Sequence, residues 1–92
     1  MRERSYQYEL GNGDKVICEM RNVKDARYKE GIMYTLRCMS PDGRTLFAVE
    51  NSHGKPHIHL HERKEEVDWD CDTAYVKFDE MLREHKKRIE RR

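Results

Sequence analysis

The alternation of apolar and polar residues divides the chain into a series of strand-like segments followed by one helical stripe. Ser5-Tyr6-Gln7-Tyr8-Glu9-Leu10 places Tyr6, Tyr8 and Leu10 on one face of a first strand. Gly11-Asn12-Gly13-Asp14 reads as a hairpin loop, rich in residues that tolerate positive φ. Lys15 to Arg21 alternates again, with Val16, Cys18 and Met20 pointing inward. Asn22 to Glu30 is polar and aperiodic, which fits a loop or an irregular sheet edge equally. Gly31 to Met39 is a long third strand with Ile32, Tyr34, Leu36 and Cys38 on one face, closed by the turn Ser40-Pro41-Asp42-Gly43. Arg44 to Asn51 is apolar on both faces at its centre, through Leu46, Phe47, Ala48 and Val49, and so belongs inside the sheet.

After the turn His53-Gly54-Lys55-Pro56, the run His57-Ile58-His59-Leu60-His61 forms a fifth strand with two unlike faces. Glu62 to Asp70 is exposed apart from Val67 and Trp69, and a short strand or a covering loop both fit; Trp69 is expected to plug the open end of the core. Asp72 or Thr73 can cap a helix from about Ala74, where Tyr75, Phe78, Met81, Leu82, His85 and Ile89 form one apolar stripe. The expected architecture is α+β: an antiparallel sheet of about five strands with one C-terminal helix packed on one face. All 92 residues make a single domain, with the sheet over about 5–62, a connecting segment over 63–72 and the helix over about 73–91. The pattern leaves open which face the helix covers.

Composition changes this picture in two ways. Hydrophobic residues are 36% and charged residues 40%, a lean core that makes a homodimer or a standing protein partner more plausible. A net charge of +1 gives no global nucleic-acid signature, although Arg83 to Arg92 is strongly basic and Glu62 to Asp72 mostly acidic. A basic end suits phosphate, but it equally suits the dipole of a helix C-terminus. Cys18, Cys38 and Cys71 are an odd number without a CxxC pair, neither a disulfide framework nor a zinc knuckle. Cys18 and Cys38 read as small hydrophobes; Cys71, just before the helix, should gain some thiolate character from the helix dipole but, with no histidine near it in sequence, also reads as structural. No apolar leader or membrane-length run is present, so the expectation is a cytoplasmic protein with reduced thiols and no membrane association.

The candidate chemistry lies in Glu50 to His61, which holds four of the five histidines. His57 and His59 on alternate strand positions stand about 6.5–7 Å apart and can converge on one small object. Three readings are open. The first is a metal site, with His57 and His59 as ligands, His61 or His53 across the turn as the third, and zinc as the ion. The second is metal-free cleavage of RNA, with histidines as acid and base and Lys55 or Arg63 opposite the phosphate charge. The third is a plain histidine face used for packing or an interface. The His-φ-His-φ-His run also copies the core of the histidine-triad nucleotide hydrolases. That family continues with two apolar residues where this chain has Glu62-Arg63, and its helix-then-strand context is missing.

Gly31-Ile32-Met33-Tyr34-Thr35-Leu36, Pro41-Asp42-Gly43-Arg44, Glu50-Asn51-Ser52-His53-Gly54 and the following histidines together resemble the small TumE-type toxin family of prokaryotic toxin–antitoxin pairs. The family shows an acidic-Asn-x-His-Gly step; Glu50 stands here where aspartate is expected. The resemblance implies a helix-turn-helix antitoxin as partner and a ribonuclease activity. By that match Glu50, Asn51, His53, His57 and His59 are the site candidates; the reading of the residues themselves adds Lys55, His61 and Arg63 as substrate-binding residues. The alternative is a non-catalytic module whose histidine strand binds a metal ion or a protein.

Overall fold

The computed structural model describes residues 3–90. Six strands run in chain order across one sheet, every neighbour antiparallel: β1 (Arg4–Glu9), β2 (Lys15–Asn22), β3 (Ile32–Met39), β4 (Thr45–Glu50), β5 (His57–Leu60) and β6 (Arg63–Glu66). The single helix, α1 (Cys71–Glu90), lies over β3 and β4, giving the α+β architecture that the pattern predicts. The sheet extends further than expected, because Arg63–Glu66 forms an edge strand on β5 rather than a covering loop. That edge is all charged, which discourages pairing with another chain. Arg91 and Arg92, the end of the basic stretch, lie outside the described residues.

Strand period decides the core. Val16, Cys18 and Met20 on β2, Ile32, Tyr34, Leu36 and Cys38 on β3, and Phe47 and Val49 on β4 are buried against Ala74, Phe78 and Leu82 of α1. Each fully buried aliphatic or aromatic side chain contributes about 1.5–3 kcal/mol. Phe47 and Phe78 meet at 5.7 Å between ring centroids, joining sheet to helix. Ile58 and Leu60 pair with Val49 and Phe47, so they share the helix-side face. His57 and His59 therefore point to the opposite face, which no element of the described chain covers.

An irregularity in β4 sets this arrangement. Met39 pairs with Thr45 but Cys38 pairs with Phe47, so Leu46 is an extra residue with no partner on β3. The bulge shifts every later pair by one residue, and a one-residue slip exchanges the faces. Glu50 consequently pairs with Thr35 and His57 on the open face. A register counted straight back from the Ser40–Gly43 turn would have placed it beside Tyr34, in the core.

The helix begins at Cys71, earlier than the stripe suggests, and its cap is Asp70 rather than Asp72 or Thr73. Asp70 Oδ1 accepts the Thr73 N–H at 2.7 Å, and Glu30 Oε2 accepts the Cys71 N–H at 2.8 Å. Two carboxylates thus satisfy amides at the positive end of the dipole.

Candidate functional site

The open face is organised by Glu50. Its Oε2 accepts a hydrogen bond from Arg37 Nη2 at 3.2 Å, and its Oε1 lies 3.3 Å from His59 Nε2. Ser52 Oγ reaches the same Oε1 at 3.5 Å. Each residue arrives by strand alternation: Arg37 between buried Leu36 and Cys38, Glu50 after buried Val49, His59 between Ile58 and Leu60. Arg37, Ala48 and His59 lie side by side in the register, and Ala48 is only 1% exposed although it points to the open face. A methyl group between two long side chains leaves them room to lean over it toward Glu50.

The cluster is half-sheltered, with the Glu50 side chain 13% exposed and that of His59 27%. The His59–Glu50 separation fits an ion pair, but the atoms are not aligned for a hydrogen bond. His59 Nε2 and Arg37 Nε both lack a hydrogen-bond partner among the described residues. Both atoms are themselves shut off from solvent, while the Arg37 side chain as a whole stays 35% exposed.

Other sequence-predicted residues are placed differently. His57 sits beside Glu50 in the register, with Glu66 on its far side. Asn51 is buried and faces inward: its Oδ1 accepts the Tyr34 N–H at 2.7 Å and its Nδ2 donates to the Ile32 carbonyl at 2.8 Å. It thereby continues the β3–β4 ladder beyond the last residue of β4. His53 is exposed on the turn, and Lys55 reaches Glu66 at 3.7 Å on the rim. Arg63 pairs with Leu60 and so belongs to the helix-side face, away from His59. His61 occupies the β5–β6 turn at φ 57, a left-handed conformation that takes it off the strand. The set His57, His59 and His61 is not among the side chains that converge closely enough to share an ion.

The turn that precedes β5 is held by close packing. Gly54 has φ 88, and a Cβ there would lie 2.5 Å from the Arg27 carbonyl oxygen. Only glycine fits, because the position needs both a left-handed backbone and an absent side chain. Tyr28 donates from its hydroxyl to the Ser52 carbonyl at 2.7 Å, fixing the same turn from the other side.

Arg37 was not singled out by the sequence. It is the only basic residue in β3, and alternation alone puts it on the face opposite the core. Its contact with Glu50 depends on the bulge at Leu46, which no local signal marks. Lys64, opposite His59 on β6, adds a second cation to the same row. A cavity of about 570 Å³ opens elsewhere, lined by Tyr34, Lys55, Glu66 and Trp69, with no histidine among its walls.

Cys71 departs from expectation. It is 1% exposed, and burial pushes its thiol up to about 11, reinforced by Glu30, Asp72 and Asp70; the dipole does not prevail. Burial also raises Cys18, and it lifts Cys38 to about 11 with help from Asp14. None of the three forms a disulfide among the described residues. In native, metal-free protein at pH 8, iodoacetamide should therefore modify Cys38 and Cys71 at least about a hundredfold more slowly than in denatured protein. Mass spectrometry of alkylated peptides checks this, and rapid native labelling of Cys71 would contradict it.

The fold and site define a small α+β domain with a helix packed on the centre of one sheet face and a half-buried Arg–Glu–His cluster on the other. Comparison with protein-family models, with curated proteins and with solved structures returns no match to this chain. Among the described residues no helix is long and apolar enough to cross a membrane.

Proposed function

We propose that this protein cleaves RNA without a catalytic metal, using the open face of its sheet, and that it acts as the toxin of a toxin–antitoxin pair. The observation that carries the chemistry is the Glu50 carboxylate shared between Arg37 and His59 on the uncovered face. Cleavage needs a base for the 2′-hydroxyl, a cation for the charge that builds on phosphorus, and an acid for the leaving 5′-oxygen. In this reading Glu50, partnered by His59, takes the 2′-hydroxyl proton. The 2′-oxygen attacks phosphorus while Arg37 holds the non-bridging oxygens.

Entering and leaving oxygens stand on opposite sides of phosphorus in an in-line displacement, so the acid must stand apart from the base. His59 touches Glu50 and fits the base side. His57, Glu50's cross-strand neighbour but not joined to it by an ion pair, fits the acid side and protonates the 5′-oxygen as the P–O bond breaks. The products are a 2′,3′-cyclic phosphate and a 5′-hydroxyl. Lys64, in the same row as His59, is the cation a neighbouring phosphate would meet.

The toxin role and its helix-turn-helix antitoxin rest on the Glu50-Asn51-Ser52-His53-Gly54 step and the histidines after it. Induction of the chain alone in a bacterial host should arrest growth. The arrest should disappear in the His57→Ala/His59→Ala double variant, provided circular dichroism shows that variant folded. Unaltered growth with folded wild type at high level would sink the toxin reading and favour a binding module.

A further inference from the structure

We propose that Asp14, Cys38 and His85 form a binding site for one thiophilic divalent cation, zinc above all, on the helix-covered side of the sheet. The three residues come from the β1–β2 loop, from β3 and from the second half of α1, yet their donor atoms all lie within 4.8 Å of one another. They are the one such group of metal-ligating side chains among the described residues. Sulfur, nitrogen and oxygen donors together suit zinc, whereas magnesium and calcium ask for oxygen alone. Tetrahedral zinc with bonds of about 2.0–2.3 Å needs donors roughly 3.3–3.8 Å apart, inside this spread. The 2.6 Å contact between His85 Nε2 and Asp14 Oδ2 would widen as the ion replaces the proton between them.

The surroundings are those of a supported site. Asn12 Nδ2 donates to Asp14 Oδ2 at 2.9 Å, and Asn12 Oδ1 accepts the Asp14 N–H at 3.1 Å, so the carboxylate is oriented by a second layer of hydrogen bonds. Phe47 packs edge-on against the His85 ring at 5.4 Å. A depression of about 260 Å³, lined by Asn12, Asp14, Ser40, Arg44, His85 and Arg88, gives solvent access and room for a water as fourth ligand. Arg44 and Arg88 at its rim do not oppose the complex. The Asp14 carboxylate and a Cys38 thiolate cancel the two charges of the ion, leaving a neutral centre.

Binding releases the Cys38 thiol proton and frees His85 Nε2 of its hydrogen. The result ties hairpin, β3 and helix together at one point. Residues proposed for RNA cleavage lie on the other face and contribute no ligand, so this site and that activity stand or fall separately.

Untagged, reduced protein titrated with Co²⁺ tests the site. One equivalent should produce a thiolate-to-cobalt charge-transfer band in the near ultraviolet, and one equivalent of Zn²⁺ should abolish it and raise Tm. Cys71→Ser should keep the band; Cys38→Ser and His85→Gln should lose it and the Tm shift. Cobalt held by the exposed histidines alone would give no thiolate band. Absence of the band from folded wild type overturns the proposal, whatever the variants do. A band that survives in folded Cys38→Ser overturns it as well.

Discussion

Glu50→Gln is expected to lower RNA cleavage about 10²–10⁴-fold, the usual contribution of a positioned general base, while the sheet stays folded. Glutamine keeps the shape and can still accept from Arg37 Nη2, but it cannot take the 2′-hydroxyl proton. The comparison with His57→Ala gives the result its meaning. A nucleoside 3′-phosphate ester with a nitrophenyl leaving group departs without a proton. His57→Ala should therefore lose activity on RNA and keep most of it on the aryl ester, while Glu50→Gln should lose both. Equal losses of His57→Ala on the two substrates would remove His57 from the acid role. Near-normal cleavage of RNA by Glu50→Gln would remove Glu50 from the chemistry altogether.

Asn51→Ala should show the largest loss of stability, about 2–5 kcal/mol, from two buried backbone groups each left without its partner. Asn51 is 6% exposed, and its amide alone serves the Tyr34 N–H and the Ile32 carbonyl from the side chain. A domain of this size has roughly 5–10 kcal/mol in total, so the variant would be marginal near body temperature. Urea unfolding at 25 °C checks the figure through the midpoint at unchanged slope. Where the variant remains folded, it should still cleave, because its side chain faces inward and not toward Glu50. A folded, stable Asn51→Ala that has lost activity would contradict this placement. The Asn within the acidic-Asn-x-His-Gly step is thus explained by backbone hydrogen bonding, and the neighbouring Gly by its approach to the Arg27 carbonyl.

Much of the fold was written in local pattern. Val16, Cys18 and Met20, then Ile32, Tyr34, Leu36 and Cys38, declare their buried face by period two alone, and Phe78 and Leu82 declare theirs by helical spacing. The alternation of Ile58 and Leu60 with His57 and His59 likewise separated the two faces of β5. Which of those faces the helix takes followed from pairing, since Ile58 packs beside Val49 against the core and Leu60, though exposed, pairs with Phe47 on the same face. β6 was harder to read because Arg63-Lys64-Glu65-Glu66 carries no apolar residue; pairing with β5, not burial, makes it a strand.

The site was legible only in part, and for a different reason. Glu50, His57 and His59 stood out by residue type, but their partner Arg37 lies thirteen residues upstream of Glu50, across a pairing that the Leu46 bulge resets. A slip of one residue is invisible in the sequence and decides whether Glu50 faces Arg37 or the core. Proximity along the chain alone groups His61 and Arg63 with the histidines. The left-handed backbone at His61 and the pairing of Arg63 with Leu60 carry them elsewhere. Cys71 shows the limit of a dipole argument, since burial moved its thiol the other way.

The central claim is that the open-face cluster cleaves RNA by itself. Its most direct test is to incubate purified protein with a single-stranded RNA in excess chelator and determine the ends of any fragments. The account predicts fragments bearing 2′,3′-cyclic phosphate and 5′-hydroxyl ends, formed by wild type and nearly absent with Glu50→Gln. Intact RNA after prolonged incubation with folded wild type, or the same fragments at the same rate from Glu50→Gln, would contradict it.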